Sequence, residues 1–266
     1  MKVIEVGDAA DERLADFRDL MDSDVRPDRR GVVIAEGLNV VERLARSSYA
    51  VRAVFGVAAR IEALHAVLEP LDIDVFVADK WLLSHVVGFR VTRGVLASAA
   101  RPPVPELAGL LAKARRVAIL EALNDFENIG SVFRNAAAFG VDAVLLDPRC
   151  ADPLYRRSVR VSMGHVFGVP FAVLPEPWPA ALGLVRDAGL SILALTPAPE
   201  AIELRRLDPP ERCAVLLGAE GPGLSAEAMA AADHLVRIPM ANNVDSLNVA
   251  TAAAVAFAHL APGSYQ

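Results

Sequence analysis

The sequence predicts an α/β protein with two domains. Apolar runs of four or five residues alternate with helix-like segments, a pattern typical of strands in a mostly parallel sheet covered by helices on both faces. The chain of 266 residues is longer than a usual single domain. Prolines at residues 101–107 mark a linker because they disfavour helix and central strand. We therefore predict a small first domain over residues 1–100 and a second domain over residues 108–266.

The individual elements follow from periodicity and capping signals. An amphipathic helix is expected over residues 8–22, with a buried face formed by Leu14, Phe17, Leu20 and Met21. Asp79 is the expected N-cap of a helix that runs to Val87. Strands of the first domain are predicted at 32–35, 51–55, 74–78 and 94–98. Strands of the second domain are predicted at 117–120, 143–146, 170–174, 191–195, 214–217 and 235–238.

Composition and charge narrow the classes of protein. With 54% hydrophobic and 23% charged residues, the chain is expected to be folded throughout. The net charge of −6 argues against a protein that coats nucleic acid by bulk electrostatics. A local basic patch that binds nucleic acid is still an alternative, because the positive charge is nearly all arginine, which suits phosphates and bases. A plain compositional bias towards arginine and alanine is the alternative.

Metal, disulfide and membrane sites are not expected. Cys150 and Cys213 are far apart in the sequence, and the histidines have no paired ligand spacing. The N-terminal residues lack the apolar core of a signal peptide. Residues 246–266 reach the length of about 20 residues that a membrane span needs, but polar residues such as Ser246 and Asn248 interrupt them. We therefore expect a cytoplasmic protein in which this stretch is a buried helix.

Three clusters of polar and small residues follow predicted strands of the second domain. The first contains Asn124, Asp125 and Asn128 in a turn, then Ser131, Arg134 and Asn135 near one face of the following helix. A ligand-binding face is one interpretation of this cluster. The other is that Asn124 or Asp125 caps the helix while Arg134 is a solvated surface charge.

The second cluster is the glycine-rich segment GAEGPGLS at residues 218–225, which surrounds Glu220. Its glycines allow close approach of a ligand to the backbone. The segment matches neither GxGxxG nor a P-loop, so taken alone it favours a turn that leads to a helix capped by Ser225 over a binding loop.

The third cluster, IPMANNVDSLNVATAAA, places Asn242, Asn243, Asp245, Ser246 and Asn248 between a strand and an alanine-rich helix. Asp245 or Ser246 is the expected N-cap. Asn248 is then expected one turn inside the helix, where it would be buried and would need a hydrogen-bond partner. Because the carboxyl ends of parallel strands share one edge of a sheet, the clusters are expected to form a single site.

Together, NDFENIGSVFRNAAAFG, LLGAEGPGLS and IPMANNVDSLNVATAAA resemble the three motifs of the SpoU branch (TrmH-like) of the SPOUT RNA methyltransferases. The resemblance covers residues 120–260. It implies methyl transfer from S-adenosylmethionine to a ribose 2′-hydroxyl of RNA, a C-terminal trefoil knot and a homodimer. The segments VVIAEGLNVVERL and TRGVLAS are similar to the ribosomal-protein-like (L30e-like) RNA-binding domain that often precedes this catalytic domain.

The resemblance also assigns residues by position. The catalytic set is Asn128, Arg134, Glu220, Ser246 and Asn248. The cofactor-binding set is Thr196, Leu217, Gly218, Ala219, Glu220, Gly221, Ile238, Met240, Ser246, Leu247 and Asn248. Many members carry Asn where this chain has Ala219, which puts one side-chain contact in doubt. Because a guanidinium stays protonated, we expect Arg134 to hold a phosphate and orient the hydroxyl rather than to act as a base.

The substrate and some alternatives stay open. Ribosomal RNA is the first expectation and tRNA the second. Candidate RNA contacts in the first domain are Arg26, Arg29, Arg30, Arg43, Arg90 and Arg93. A non-catalytic RNA-binding assembly factor with a vestigial cofactor pocket is one alternative. A doubly wound enzyme that binds a different nucleotide is another, which the missing GxGxxG disfavours.

Overall fold

A computed structural model describes residues 1–18, 20–23, 31–241 and 244–261. Its strands are β1 (Lys2–Glu5), β2 (Val32–Glu36), β3 (Val51–Gly56), β4 (Asp74–Val77), β5 (Val95–Ala100), β6 (Arg116–Glu121), β7 (Ala143–Leu146), β8 (Phe171–Val173), β9 (Ser191–Leu195), β10 (Ile202–Glu203), β11 (Cys213–Gly218) and β12 (His234–Arg237). Its α-helices are α1 (Leu20–Ser23), α2 (Leu38–Ala45), α3 (Ala58–Leu68), α4 (Lys80–Val87), α5 (Leu107–Lys113), α6 (Phe126–Ala138), α7 (Arg156–Val161), α8 (Leu182–Asp187), α9 (Ala226–Ala230) and α10 (Val249–Leu260). Short 3-10 helices lie at Glu12–Phe17, His165–Phe167 and Leu204–Arg206.

The chain divides into two compact units by its internal contacts. The first unit contains Met1–Pro103 and also Asp152–Gly168, and the second contains the remaining residues. The predicted division gave the segment Asp152–Gly168 to the second domain, so the structure differs here. The segment's side chains are used in the first unit: the Phe167 ring lies 5.1 Å from that of Tyr49, and Arg156 pairs with Glu36 at 3.2 Å. The order of elements along a chain does not reveal such a return.

The first unit is built on a mixed sheet with strand order β1-β4-β3-β5-β2. The strand β5 runs antiparallel to β2 and β3, whereas β1, β4 and β3 are parallel. Buried side chains such as Phe17, Phe55 and Phe76 fill its core. The Phe17 and Phe55 rings lie 5.6 Å apart.

The predicted helix over residues 8–22 was wrong in form. The structure has a 3-10 helix at Glu12–Phe17, and the backbone turns extended at Arg18, with a ψ of 146°. The Arg18 guanidinium donates to the carbonyls of Ala9 and Asp11 there. This break changes the helical phase, so that Leu20 is buried but Met21 is exposed.

The second unit is built on a parallel sheet with strand order β10-β12-β9-β11-β6-β7-β8. Side chains from its strands and helices, among them Ile119, Leu145, Ile192 and Leu216, form a continuous apolar core. The prediction of a mostly parallel sheet is confirmed. Within the ranges described above, no helix has the length and apolarity that crossing a membrane requires.

Candidate active site

The site lies at one edge of the parallel sheet in the second unit. The strands β12, β9, β11 and β6 are neighbours in that order and run in the same direction, so their carboxyl ends meet at this edge. A cavity of about 570 Å³ opens between the segments that follow β9, β11 and β12 and the start of α10. This volume falls within the range of small-molecule sites, roughly 300–1,000 Å³.

The residues predicted for cofactor binding come together around this cavity. Its lining includes Thr196, Leu217, Gly218, Ala219, Glu220, Gly221, Ile238, Met240, Ser246, Leu247 and Asn248. The sequence interpretation missed several apolar lining residues, including Pro197, Leu224, Met229 and Ala252. Apolar residues of these types are also ordinary core residues, so no sequence signal singled them out. Among the described lining residues, Glu220 is the one with a charged side chain.

The glycine loop at residues 218–225 is folded tightly on itself. The Gly223 N–H donates to the Ala219 carbonyl at 3.0 Å, and these two residues form an isolated bridge. A Cβ atom on Gly218 would lie 2.5 Å from the Gly223 carbonyl oxygen, which leaves no room for any side chain there. Gly221 and Gly223 have φ values of +86° and +69°, a region that favours glycine. The loop ends where the Ser225 hydroxyl caps α9, as the sequence predicted.

Asn248 joins the three polar clusters. Its Nδ2 group donates to Oδ1 of Asn128 at 2.8 Å and to Oε1 of Glu220 at 2.6 Å. Its Oδ1 atom accepts from the N–H groups of Ala250 and Thr251, so that Asn248 itself is the N-cap of α10. Every polar atom of this side chain therefore has a partner.

Two expectations about this segment were wrong. The N-cap is Asn248, whereas Asp245 or Ser246 was expected, and Asn248 is exposed, whereas it was expected to be buried. The physical reason is that the helix begins at Val249, so the amide stands outside the first turn. Asn242 and Asn243 lie outside the described residues.

The helix α6 carries the remaining predicted residues. Asp125 caps this helix by accepting from the Asn128 N–H at 2.8 Å. Asn135 donates from Nδ2 to the Ala250 carbonyl at 2.7 Å and so ties α6 to α10. Arg134 is exposed, does not line the cavity and makes no hydrogen bond or ion pair with the described residues. The structure thus unites Asn128, Glu220 and Asn248 directly but leaves Arg134 at the surface of α6.

The structure also reveals a buried carboxylate next to the glycine loop. Glu121, at the end of β6, is 2% exposed and accepts hydrogen bonds from Ser225 and Trp178. A charged residue that ends an apolar run was visible in the sequence, but its partners are 57 and 104 residues away. Among the described residues, no group of three or more His, Cys, Asp or Glu side chains could hold a metal ion.

The predicted RNA-contacting arginines of the first unit differ in their surroundings. Arg43 donates to the Met163 carbonyl at 2.7 Å, so this guanidinium is partly engaged within the unit. Arg90 and Arg93 are exposed, and the Arg93 side chain lies over Gly37. Arg26, Arg29 and Arg30 lie outside the residues that the structure describes.

Comparison with known proteins places the chain in a family. The SpoU rRNA Methylase family matches residues 115–258. A protein of Mycobacterium tuberculosis named as a tRNA/rRNA methyltransferase is 46% identical over 277 residues, which cover 99% of this chain and 96% of that protein. The chain belongs to the SpoU rRNA methylase family. Family membership gives its reaction class, the methylation of RNA.

Further similarities agree with this family. The 23S rRNA (guanosine(2553)-2′-O)-methyltransferase RlmP of Bacillus subtilis is 31% identical over 150 residues, 56% of this chain and 59% of that protein. An rRNA methyltransferase from Sinorhizobium meliloti, solved with AdoMet bound, has the same fold, with a TM-score of 0.82 at 24% identity over 97% of both chains. A TrmH-family protein from Porphyromonas gingivalis has a TM-score of 0.78 at 25% identity over 95% of this chain and 98% of that chain.

Proposed function

We propose that this SpoU-family protein transfers a methyl group from S-adenosylmethionine to a ribose 2′-hydroxyl of RNA. Ribosomal RNA is the first proposed substrate and tRNA the second. The observation that carries the proposal is the cavity at the carboxyl edge of the sheet, where Asn248 bonds both Glu220 and Asn128. Support for ribose methylation comes from RlmP, named as a 2′-O-methyltransferase, and support for the cofactor from the AdoMet-bound S. meliloti neighbour.

The residues around the cavity fit S-adenosylmethionine. The cofactor has a flat aromatic base, a ribose and a cationic sulfonium, and when bound it supplies an electrophilic methyl group. Leu195, Leu217 and Ile238 offer apolar surface to a base. The backbone of the glycine loop is open to close approach at Gly221 and Gly223, where an added Cβ would have nothing within 4 Å. The Glu220 carboxylate places a negative charge beside a site proposed for a cation.

The proposed contribution of the protein to catalysis is mainly positioning. Fixing two reacting groups in line can lower a reaction barrier by about 7–11 kcal/mol. Asn248 donates its amide protons to Glu220 and Asn128, and its oxygen accepts the bond that caps α10. Asn248 therefore holds the two side chains in fixed relative positions. Glu220 and Asn248 then border the cavity as a polar edge, which the buried Asn128 holds through its bond to Asn248. We propose that this edge orients the attacking hydroxyl.

Arg134 is proposed to act on the RNA rather than on the cofactor. It lies about 9 Å along α6 from Asn128 at 1.5 Å per residue, and its exposed guanidinium is available to a phosphate. A guanidinium does not accept a proton at neutral pH. The proton of the hydroxyl is therefore proposed to pass to a phosphate oxygen or water, while Arg134 fixes the nucleotide.

The architecture proposed for the family completes this assignment. We propose that the first unit is an L30e-like RNA-binding domain, with Arg90 and Arg93 as exposed cations for phosphates. We also propose that the chain after β11 forms a trefoil knot and that the second unit dimerises. Val244, before α10, and Val255, within α10, are exposed apolar residues, which is compatible with a contact between two copies.

The proposed function is tested by binding and by mapping the product. Titration calorimetry with S-adenosylmethionine and, separately, with NAD should show binding of the first alone. Binding of NAD alone would contradict the proposal in favour of another nucleotide enzyme. Mass spectrometry of RNA treated with the protein should then locate a methylated ribose. Cofactor or RNA binding without any methylated product would favour the assembly-factor alternative.

A further inference from the structure

Glu121 is a buried carboxylate next to the cavity but not part of its lining. It ends β6 directly opposite Gly218 in the ladder between β6 and β11. Burial of a carboxylate is costly unless hydrogen bonds and opposite charge replace the lost water. The partners of Glu121 therefore identify what this side chain holds in place.

Those partners come from segments far apart in the sequence. The Ser225 N–H donates to Oε2 at 2.9 Å and the Ser225 hydroxyl to Oε1 at 2.6 Å. The Trp178 indole N–H donates to Oε1 at 2.7 Å. The Arg149 guanidinium lies 3.4 Å from Oε1 and is itself held by Asp147 at 2.8 Å. Glu121 thus connects three segments through charge-assisted bonds.

The effect of this arrangement falls on the glycine loop. Gly218, the first residue of the loop, pairs with Glu121 through the backbone, and Ser225, its last residue, is held by the Glu121 carboxylate. Both ends of the loop are therefore fixed on one residue of β6. Between them the loop projects Glu220 to its contact with Asn248 at 2.6 Å.

We infer that Glu121 is a positioning residue, which holds the glycine loop in its ligand-binding shape and thereby sets the affinity for S-adenosylmethionine. This inference rests on the proposed function for the identity of the ligand. Its structural part, the shape of the loop, does not. A loop that must order itself on binding gives weaker affinity than one already ordered, because the ordering free energy opposes binding.

The central variant is Glu121→Gln, which keeps the size of the side chain but replaces one acceptor oxygen by an NH₂ group. That group cannot accept from Ser225, so at least one charge-assisted bond is lost. We expect the Kd for S-adenosylmethionine to rise about tenfold or more and the Kd for RNA to change by less than about twofold. Glu211→Gln is the matched control, because Glu211 is an exposed carboxylate whose side chain is 82% accessible.

A second readout needs no ligand. Hydrogen exchange measured by mass spectrometry should be faster for residues 219–225 in Glu121→Gln than in wild type, with β6 and residues 213–217 of β11 unchanged. Ser225→Ala removes the hydroxyl bond to Glu121 and the α9 cap but keeps the bond from the Ser225 N–H, and it carries the same test if Glu121→Gln does not fold. In a Trp81→Phe background Trp178 is the one tryptophan left, and its emission should report S-adenosylmethionine binding.

The outcomes separate the two proposals. Unchanged exchange of residues 219–225 in both variants would overturn the positioning role, whatever the ligand. Unchanged affinity for S-adenosylmethionine in the variants, with binding by wild type, would also overturn it. Absence of binding by wild type would contradict the proposed cofactor, and the exchange experiment would still decide the role of Glu121.

Discussion

Replacement of Gly218 by alanine should disable the glycine loop while leaving the fold intact. The new Cβ would lie 2.5 Å from the Gly223 carbonyl oxygen and closer still to the Gly223 carbonyl carbon and the Leu224 nitrogen. Ordinary contact begins at 3.4 Å, so the loop must move by about 0.9 Å or more. The obstructing atoms are backbone, which no rotamer change can remove.

The expected loss follows from that displacement. A misplacement of about 1 Å can cost roughly 100-fold in rate in an oriented site, so we expect Gly218→Ala to reduce turnover by about that factor. We expect S-adenosylmethionine affinity, measured by calorimetry, to fall by about tenfold or more. Gly109→Ala is the matched control: Gly109 lies in α5 with nothing within 4 Å of an added Cβ, and this change should stabilise by about 0.5–1 kcal/mol. Wild-type affinity and turnover in Gly218→Ala would refute the steric explanation.

Three other predictions concern the rest of the second unit. Arg134→Lys should retain much of the RNA affinity in filter binding but lose most turnover, because a lysine cannot hold a phosphate bidentately; full activity would refute this role. Asn248→Ala should lower the free energy of unfolding, measured in urea, by about 1 kcal/mol through loss of the α10 cap. It should also weaken cofactor binding. A change in stability alone would mean that the position of Glu220 in the cofactor site does not depend on its bond to Asn248. Burial raises the pKa of the Cys150 thiol from 9.0 to about 12, so the unfolded chain loses this proton first and the free energy of unfolding should fall as pH rises from 9 towards 12. Cys150→Ser should make that fall shallower, and an unchanged slope would contradict it.

The local pattern of the sequence determined the fold class and most elements of the second unit. Apolar runs such as those of β6, β7 and β11 lie within a residue or two of their predicted positions, because a buried parallel strand needs a continuous apolar run. Capping was also predictable where a short polar side chain precedes a helix without competitors, as at Asp79 and Ser225, whereas the choice between Asn124 and Asp125 was made by the structure in favour of Asp125. The predicted cofactor residues line one cavity because they follow neighbouring strands of that sheet.

Contacts between distant parts of the chain decided the rest. Asn248 could be an inner helix residue or a cap, and its bonds to Asn128 and Glu220, 120 and 28 residues away, accompany its position as the cap. The segment Asp152–Gly168 packs with the first unit although the sequence continues the alternation of the second.

Glu121 shows the same division most clearly. The sequence places a carboxylate directly after the apolar run predicted as a strand at residues 117–120, and periodicity assigns it no partner. Only the tertiary structure brings Trp178 and Ser225 to it and makes it a buried acceptor. The physical reason is that a hydrogen bond depends on distances between atoms, and the path of the chain between residues 121 and 225 sets those distances.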